Sequence, residues 1–258
     1  MAQFDGKVLV VTGGASGIGA AVARAFVQRG GKAVLADIDA ARGRALALEI
    51  GHAAVFQEAD VRDPADCQTV IQRAVAAYGT VDCLLNSAIR MAPAPLADLK
   101  VEDWRSVIDV GLTGTFLMTQ AFGRWVMAHN RTGSVVNLLS MSGFQPYTSA
   151  GAYSTVKAAV LMLSDHFAIE WARKGIRVNV VAPGHIETPL TAYLKDPAIK
   201  RGREEVTPLG RVGQVEDVTG GILFLLSDEA RYVTATSLII DGGVTKSIFN
   251  HFPGRTWS

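Results

Sequence analysis

The sequence predicts an α/β fold in which a doubly wound parallel sheet of about seven strands is covered by helices on both faces. Three observations predict it. Short apolar runs rich in β-branched residues recur along the chain, amphipathic helical patterns fall between them, and most of the runs are apolar at successive positions rather than alternating. A strand that is apolar on both faces must be covered on both, and helices supply that cover in a parallel sheet.

The strand-like runs lie at 8–11, 33–36, 53–56, 81–85, 135–139, 176–181 and 237–240. After the first, Ile18, Ala21, Val22, Ala25 and Phe26 recur at i, i+3, i+4, i+7 and i+8, which places them on one helical stripe. Helical patterns follow at 63–78, 101–130, 150–174 and 215–227, and Gly111 or Gly114 is expected to interrupt the longest. Strand and helix in alternation imply right-handed βαβ units, with the ligand crevice at the carboxyl ends of the strands. Neither a repeat nor a linker of distinct composition divides the chain. Residues 1–258 therefore read as a single domain, with 189–208 as a substrate-loop insertion and 246–258 as a C-terminal tail.

Of the 258 residues 49% are hydrophobic and 19% charged. The charged share is below the usual quarter or so, which implies extensive burial rather than disorder. Lys and Arg total 25 against 24 Asp and Glu, a net charge of +1, so no field draws the chain to nucleic acid or an anionic membrane. No apolar run approaches the roughly 18 residues of a bilayer span, and 8–11 is too short for a signal-peptide core, so a cytoplasmic protein is expected. Cys67 and Cys83 form no Cys-x-x-Cys pair. Buried free thiols are expected, and the reading calls for no metal.

Directly after the first strand comes Thr12-Gly13-Gly14-Ala15-Ser16-Gly17-Ile18-Gly19, where the first helix opens. Glycines let the backbone approach a diphosphate, and free N–H groups with the helix dipole stabilise its charge. Gly13, Ser16, Gly17, Ile18 and Gly19 are thus expected at a dinucleotide. The second strand ends at Asp37, 18 residues after Gly19, where a carboxylate can accept from adenosine ribose hydroxyls and repel a 2′-phosphate. Neither Ser16 nor Ile38 is basic, so NAD is preferred over NADP, while Arg42 and Arg44 keep NADP open. Asp60 and Val61, after the third strand, are expected at the adenine edge.

The spacing Gly-x-x-x-Gly-x-Gly after strand one, together with Ser140, Tyr153 and Lys157, resembles the short-chain dehydrogenase/reductase family over nearly the whole chain. Asn86-Ser87-Ala88-Ile89, Pro183-Gly184-His185-Ile186-Glu187-Thr188 and Asp241-Gly242-Gly243 support the resemblance. It implies a Rossmann-like fold in which Tyr153 is the general acid/base, Lys157 lowers its pKa and binds the nicotinamide ribose, and Ser140 positions the substrate oxygen. Asn86, Pro183, Ile186 and Thr188 then adjoin the cofactor, and a homotetramer is implied.

The residues support these roles directly. Tyr153 and Lys157 stand at i and i+4, on one side of a helix. For the phenol to act as a base near neutrality its pKa must fall from about 10 to about 7, some 4 kcal/mol. An ammonium about 5 Å away, at an effective dielectric near 20, supplies about 3 kcal/mol. Ser142 and His185 join Ser140 and Tyr153 as expected substrate contacts, with Arg90 and Met91 as walls. Tyr193 and Leu194 are expected to cover an apolar substrate, or Arg90 or Arg201 to meet an anionic one.

Three places depart from the family pattern: Gly111 stands where an Asn belongs, Ser87 follows Asn86 where a second Asn is commoner, and Ile89 replaces a Gly, where a positive φ would strain it. A main-chain carbonyl can replace the Asn as a proton-relay acceptor, so Gly111→Asn is expected to change turnover less than about threefold. The reading is an NAD-dependent oxidoreductase that interconverts a secondary alcohol and a ketone, with a small-molecule substrate as partner. Its rivals are an NADP-dependent carbonyl reductase of the 3-oxoacyl type and a catalytically inactive nucleotide-binding regulator.

Overall fold

The computed structural model of the chain describes residues 3–247. Seven parallel strands form one sheet: β1 (Val8–Thr12), β2 (Lys32–Asp37), β3 (Ala54–Glu58), β4 (Cys83–Asn86), β5 (Gly133–Leu138), β6 (Ile176–Pro183) and β7 (Ser237–Ile240). Their spatial order is β3-β2-β1-β4-β5-β6-β7, so the winding reverses between β1 and β4. Thr12 pairs with Ala36 on one side and Asn86 on the other, which brings the ends of β1, β2 and β4 to one edge. That edge at a reversal point is where open α/β sheets take ligands.

Alternate residues of the strands feed two cores. Leu9, Val11, Leu35 and Leu85 pack with Phe26 of α1 (Gly17–Gln28) and Ile222 of α8 (Val215–Leu226). Val8, Val10, Val34 and Leu84 pack on the opposite face with Val70 of α3 (Pro64–Tyr78) and Phe122 of α5 (Gly114–Ala128). Each fully buried Leu or Phe contributes about 1.5–3 kcal/mol, so both faces are strongly anchored. A third cluster joins Leu139 and Val180 to Val156 and Val160 of α6 (Gly151–Trp171), and this fixes the helix that carries Tyr153 and Lys157.

Three elements differ from the sequence expectation. Helix α2 (Ala40–Ile50), absent from it, buries only Gly43 and Leu46 and is started by Asp39, whose carboxylate accepts from Arg42 N. The long helix at 101–130 is interrupted where Gly111 is expected to interrupt it, by a wider winding rather than a break. Helix α4 (Val101–Ile108) passes through a π-helical turn, Asp109–Thr113, into α5. Segment 189–208 is largely ordered as a 3₁₀ turn, Pro189–Lys195, and helix α7 (Pro197–Glu205), where Asp196 caps the N-terminus and Pro197 takes the first turn.

Cys67 and Cys83 are buried and free, and burial pushes both thiols up to about 12. Among the described residues no helix is long and apolar enough to cross a membrane. The expected tail lies, from residue 248 onward, outside the described residues.

Candidate active site

The glycine loop is shaped by close approach. A Cβ on Gly13 would lie 2.9 Å from Ala88 N, so only glycine lets β1 pass the residues after β4. The Thr12 hydroxyl accepts from Ser87 N and Ala88 N and locks that junction. Ser16 enters α1 in an extended conformation and makes no side-chain cap. The N–H groups of Gly17, Ile18 and Gly19 therefore open the helix without intrahelical partners, an arrangement that can hold a diphosphate. Gly17 faces Thr188, at 3.7 Å from its missing Cβ, and the two line a groove of about 830 Å³ with Ser16, Pro189 and Arg42.

Asp37 is tied into this loop. One oxygen accepts from Ala15 N and the other from Asp39 N, both at 3.0 Å. The carboxylate keeps lone pairs for ribose hydroxyls, and its position is set by the loop that would hold the diphosphate.

Several residues expected at the cofactor turn their side chains elsewhere. The carboxylate of Asp60 is clamped by the Arg62 guanidinium, which lowers its pKa, so it does not stand free for an adenine edge. The Asn86 carboxamide donates inward to Thr119 and Asn137, tying β4 to α5 and β5, while its buried Oδ1 has no hydrogen-bond partner among the described residues. Val61 is buried, and Ile186 packs into the core beneath the groove. Pro183 is buried at the end of β6. Burial keeps the Asn86, Val61, Ile186 and Pro183 side chains from a polar cofactor, and the Arg62 pair does so for Asp60.

Ser140, Tyr153 and Lys157 converge. Ser140 follows β5 and caps the 3₁₀ turn Met141–Gly143. Its Oγ accepts from both Ser142 N (3.2 Å) and Ser142 Oγ (2.9 Å), which uses its two acceptor sites and leaves its proton for donation. The Tyr153 phenol lies within its influence and lines one cavity with Ser140. Ser142, expected at the substrate, lines the same cavity, is largely buried, and orients Ser140. The Lys157 ammonium donates to Leu138 O at 2.5 Å and stands 5.6 Å from the Tyr153 ring centre.

The electrostatics differ from the sequence expectation. Burial pushes the Tyr153 phenol up to about 12, with the Ser140 hydrogen bond opposing it, and brings Lys157 down to about 7. Loss of water outweighs the attraction between the two, so the folded site favours a protonated phenol beside a lysine that titrates near neutrality.

Beside the phenol lies a cavity of about 250 Å³, lined by Met91, Met141, Tyr147, His185, Leu190, Tyr193 and Arg203 as well as Ser140 and Tyr153. Burial and the nearby Arg203 hold His185 down at about 4, so it is neutral. The expected cations are not there: Arg90 reaches toward Asp103 at 3.7 Å, and Arg201 is exposed. Arg203, which sequence reasoning missed, points in instead. Its signal was available, because Asp196 and Pro197 mark the start of α7, on which Lys200 and Arg203 are one turn apart. Leu194 is buried under the same segment, and Tyr193 lines the cavity.

A strand–glycine-loop–helix groove joined to a Ser-Tyr-Lys cluster at the carboxyl edge of the sheet defines a nucleotide-dependent oxidoreductase. The chain belongs to the short-chain dehydrogenase/reductase family, and the family model described as enoyl-(acyl carrier protein) reductase matches residues 13–245. It interconverts a secondary alcohol and a ketone. Among curated relatives, the cis-4-hydroxycyclohexanecarboxylate dehydrogenase of Sinomonas cyclohexanicum is 40% identical over 246 residues, covering 94% of this chain and 98% of that protein. The 2,5-dichloro-2,5-cyclohexadiene-1,4-diol dehydrogenase LinX of Sphingobium indicum is 37% identical over 245 residues, covering 93% and 97%. A gluconate 5-dehydrogenase from Burkholderia cenocepacia, solved in complex with NADP and tartrate, superposes with a TM-score of 0.90 at 32% identity, covering 95% and 98%.

Proposed function

We propose that the protein is an NAD-dependent dehydrogenase of a small secondary alcohol, with Tyr153 as proton carrier, Ser140 as the hydroxyl that fixes the substrate oxygen, and Lys157 as partner of both phenol and ribose. The observation that carries this is that the Tyr153 phenol and the Ser140 hydroxyl line one cavity, with the buried Lys157 ammonium 5.6 Å from the Tyr153 ring centre. The nicotinamide, when bound, supplies or takes up the hydride. Tyr153 Oη gives its proton to the carbonyl oxygen in reduction and takes the hydroxyl proton in oxidation. Ser140, whose acceptor sites are filled by Ser142, donates to the same oxygen and stabilises charge as it develops there. Two of the relatives are named for hydroxyls on six-membered carbon rings, and a cavity of about 250 Å³ suits a substrate of that size. Segment 189–208 serves as the lid over it. The working form is a cytoplasmic homo-oligomer, a tetramer by family resemblance.

NAD is supported by Asp37 at the end of β2 and by the uncharged Ser16 and Ile38. One observation favours NADP: Arg42 lines the groove with Ser16 and Gly17, although it is drawn to Asp39 at 3.4 Å. The test is kcat/KM for both cofactors, in the wild type and in Asp37→Ala. An NAD preference that shrinks about tenfold or more supports the assignment. A wild type that prefers NADP, or a ratio that Asp37→Ala leaves unmoved, overturns it.

A further inference from the structure

We infer that the substrate is a hydroxy acid, whose carboxylate is held by Arg203 while its carbinol faces Tyr153 and Ser140. The carbinol end of this assignment rests on the proposed dehydrogenase reading, and the carboxylate end rests on the cavity alone.

Arg203 sits on the lid helix α7, is partly buried, and lines the cavity. Among the described residues its guanidinium has neither an ion-pair partner nor a hydrogen-bond acceptor. Nearby charges are treated differently: Lys200 of the same helix is bridged to Glu187, and Arg211 takes both oxygens of Asp217. The cavity wall contains no Asp or Glu, its His185 is neutral, and its remaining titratable groups are the phenols of Tyr147, Tyr153 and Tyr193. A partly buried cation without a counter-ion is costly unless the ligand supplies one.

The remaining lining supplies the other groups the substrate would meet. Arg203 shares the cavity with Ser140 and Tyr153, and Tyr147, Tyr193 and His185 line it with them. Met91, Met141 and Leu190 add apolar wall. A compact hydrocarbon skeleton with a hydroxyl at one end and a carboxylate at the other meets each wall with its own chemistry, and the planar guanidinium fork matches a carboxylate in particular.

The test separates the carboxylate from the chemistry. Cyclohexanecarboxylate and its uncharged isostere cyclohexanecarboxamide carry no hydroxyl to oxidise, so their binding is read by calorimetry with and without NAD. The acid is expected to bind about tenfold or more tightly than the amide, the size of one charge-assisted hydrogen bond. Arg203→Met should erase that preference and Arg203→Lys keep part of it, with folding of both checked by circular dichroism. Equal affinities in the wild type, no binding of the acid at millimolar concentration, or a preference intact in Arg203→Met overturns the inference. Turnover of 4-hydroxycyclohexanecarboxylate and its amide is then compared. Oxidation of neutral alcohols with no preference for the acid sinks the carboxylate site and leaves the dehydrogenase reading standing. A binding preference for the acid with no turnover of any alcohol does the reverse.

Discussion

Ile89 fills the space that a side chain at Gly111 would need. The Cβ that Gly111 lacks would lie 2.6 Å from Ile89 Cδ1 and 2.6 Å from Val156 Cγ1, well inside carbon–carbon contact. Gly111 is buried in the π turn between α4 and α5, and its carbonyl accepts from the Thr115 hydroxyl at 2.7 Å. These two of the departures from the family pattern are thus one packing solution, a large residue at 89 where 111 is small. The strain expected of Ile89 is absent, since it is not among the residues with positive φ.

Gly111→Asn is accordingly not the near-silent change that the sequence suggests. Overpacking typically costs about 1–3 kcal/mol, and in a chain of this size each kcal/mol lowers Tm by about 2–4 °C. Ile89→Ala alone opens a cavity and also destabilises. The double variant Ile89→Ala/Gly111→Asn should be more stable than the sum of the single effects by about 1 kcal/mol or more, read from thermal or urea unfolding. Additive effects would mean that the two residues do not share a space.

Tyr153→Phe keeps the ring and removes the proton carrier. Turnover should fall at least 10²-fold with nucleotide binding retained, as loss of a general acid/base does. Ser140→Ala tests the hydrogen bond that opposes burial at the phenol. Its loss raises the phenol pKa further, so the pH profile for oxidation should move to higher pH, while reduction, which uses the protonated form, should keep its shape. A profile that moves to lower pH would contradict the hydrogen bond.

Lys157 gives a stability prediction with a definite sign. Its folded pKa of about 7 lies below the unfolded value of 10.5, so the unfolded chain binds more protons between pH 7 and 10.5. Stability must then rise with pH across that window, by up to about 1.4 kcal/mol per unit. Below pH 7 both states are protonated and the full burial penalty is present. The difference in unfolding free energy between wild type and Lys157→Met, without nucleotide, should grow in favour of the wild type from pH 7 to 10. A flat difference would show that the ammonium is not desolvated.

What the sequence made legible was local. The glycine loop and Asp37 are contiguous with β1 and β2, and main-chain geometry dictates their residue types, so their places could be read directly. Tyr153 and Lys157 were legible from i, i+4 spacing. Ile89 and Gly111 are 22 residues apart and meet only through the packing of α6 against the π turn, which no local pattern encodes. Side-chain direction was equally hidden: Asn86 and Ile186 sit at the right edge of the sheet and turn inward to satisfy hydrogen bonds and the core. Arg203 was missed because α7 was read as loop, although Asp196 and Pro197 mark its start. The phenol and lysine pKa values depend on burial, which spacing does not report.

Thr191 joins segment 189–208, the proposed lid, to the residues that face the glycine loop. Its Oγ1 donates to Ile186 O at 2.6 Å and accepts from Thr188 N at 2.9 Å, so one hydroxyl holds both the exit of β6 and the residue opposite Gly17. Thr191→Val keeps the shape and removes both bonds, leaving Ile186 O and Thr188 N without that partner, at about 1–3 kcal/mol for each such group left buried and unsatisfied. Because these bonds lie between the nucleotide groove and the lid, the loss should appear on both sides of the site. KM for nucleotide and for substrate should rise together by about fivefold or more, with a smaller change in kcat, since the hydroxyl touches neither Tyr153 nor Ser140. Thr191→Ser, which retains the hydroxyl, should restore both KM values to within about twofold. If Thr191→Val raised only one KM, or if Thr191→Ser failed to rescue, the lid and the groove would not be coupled through this side chain.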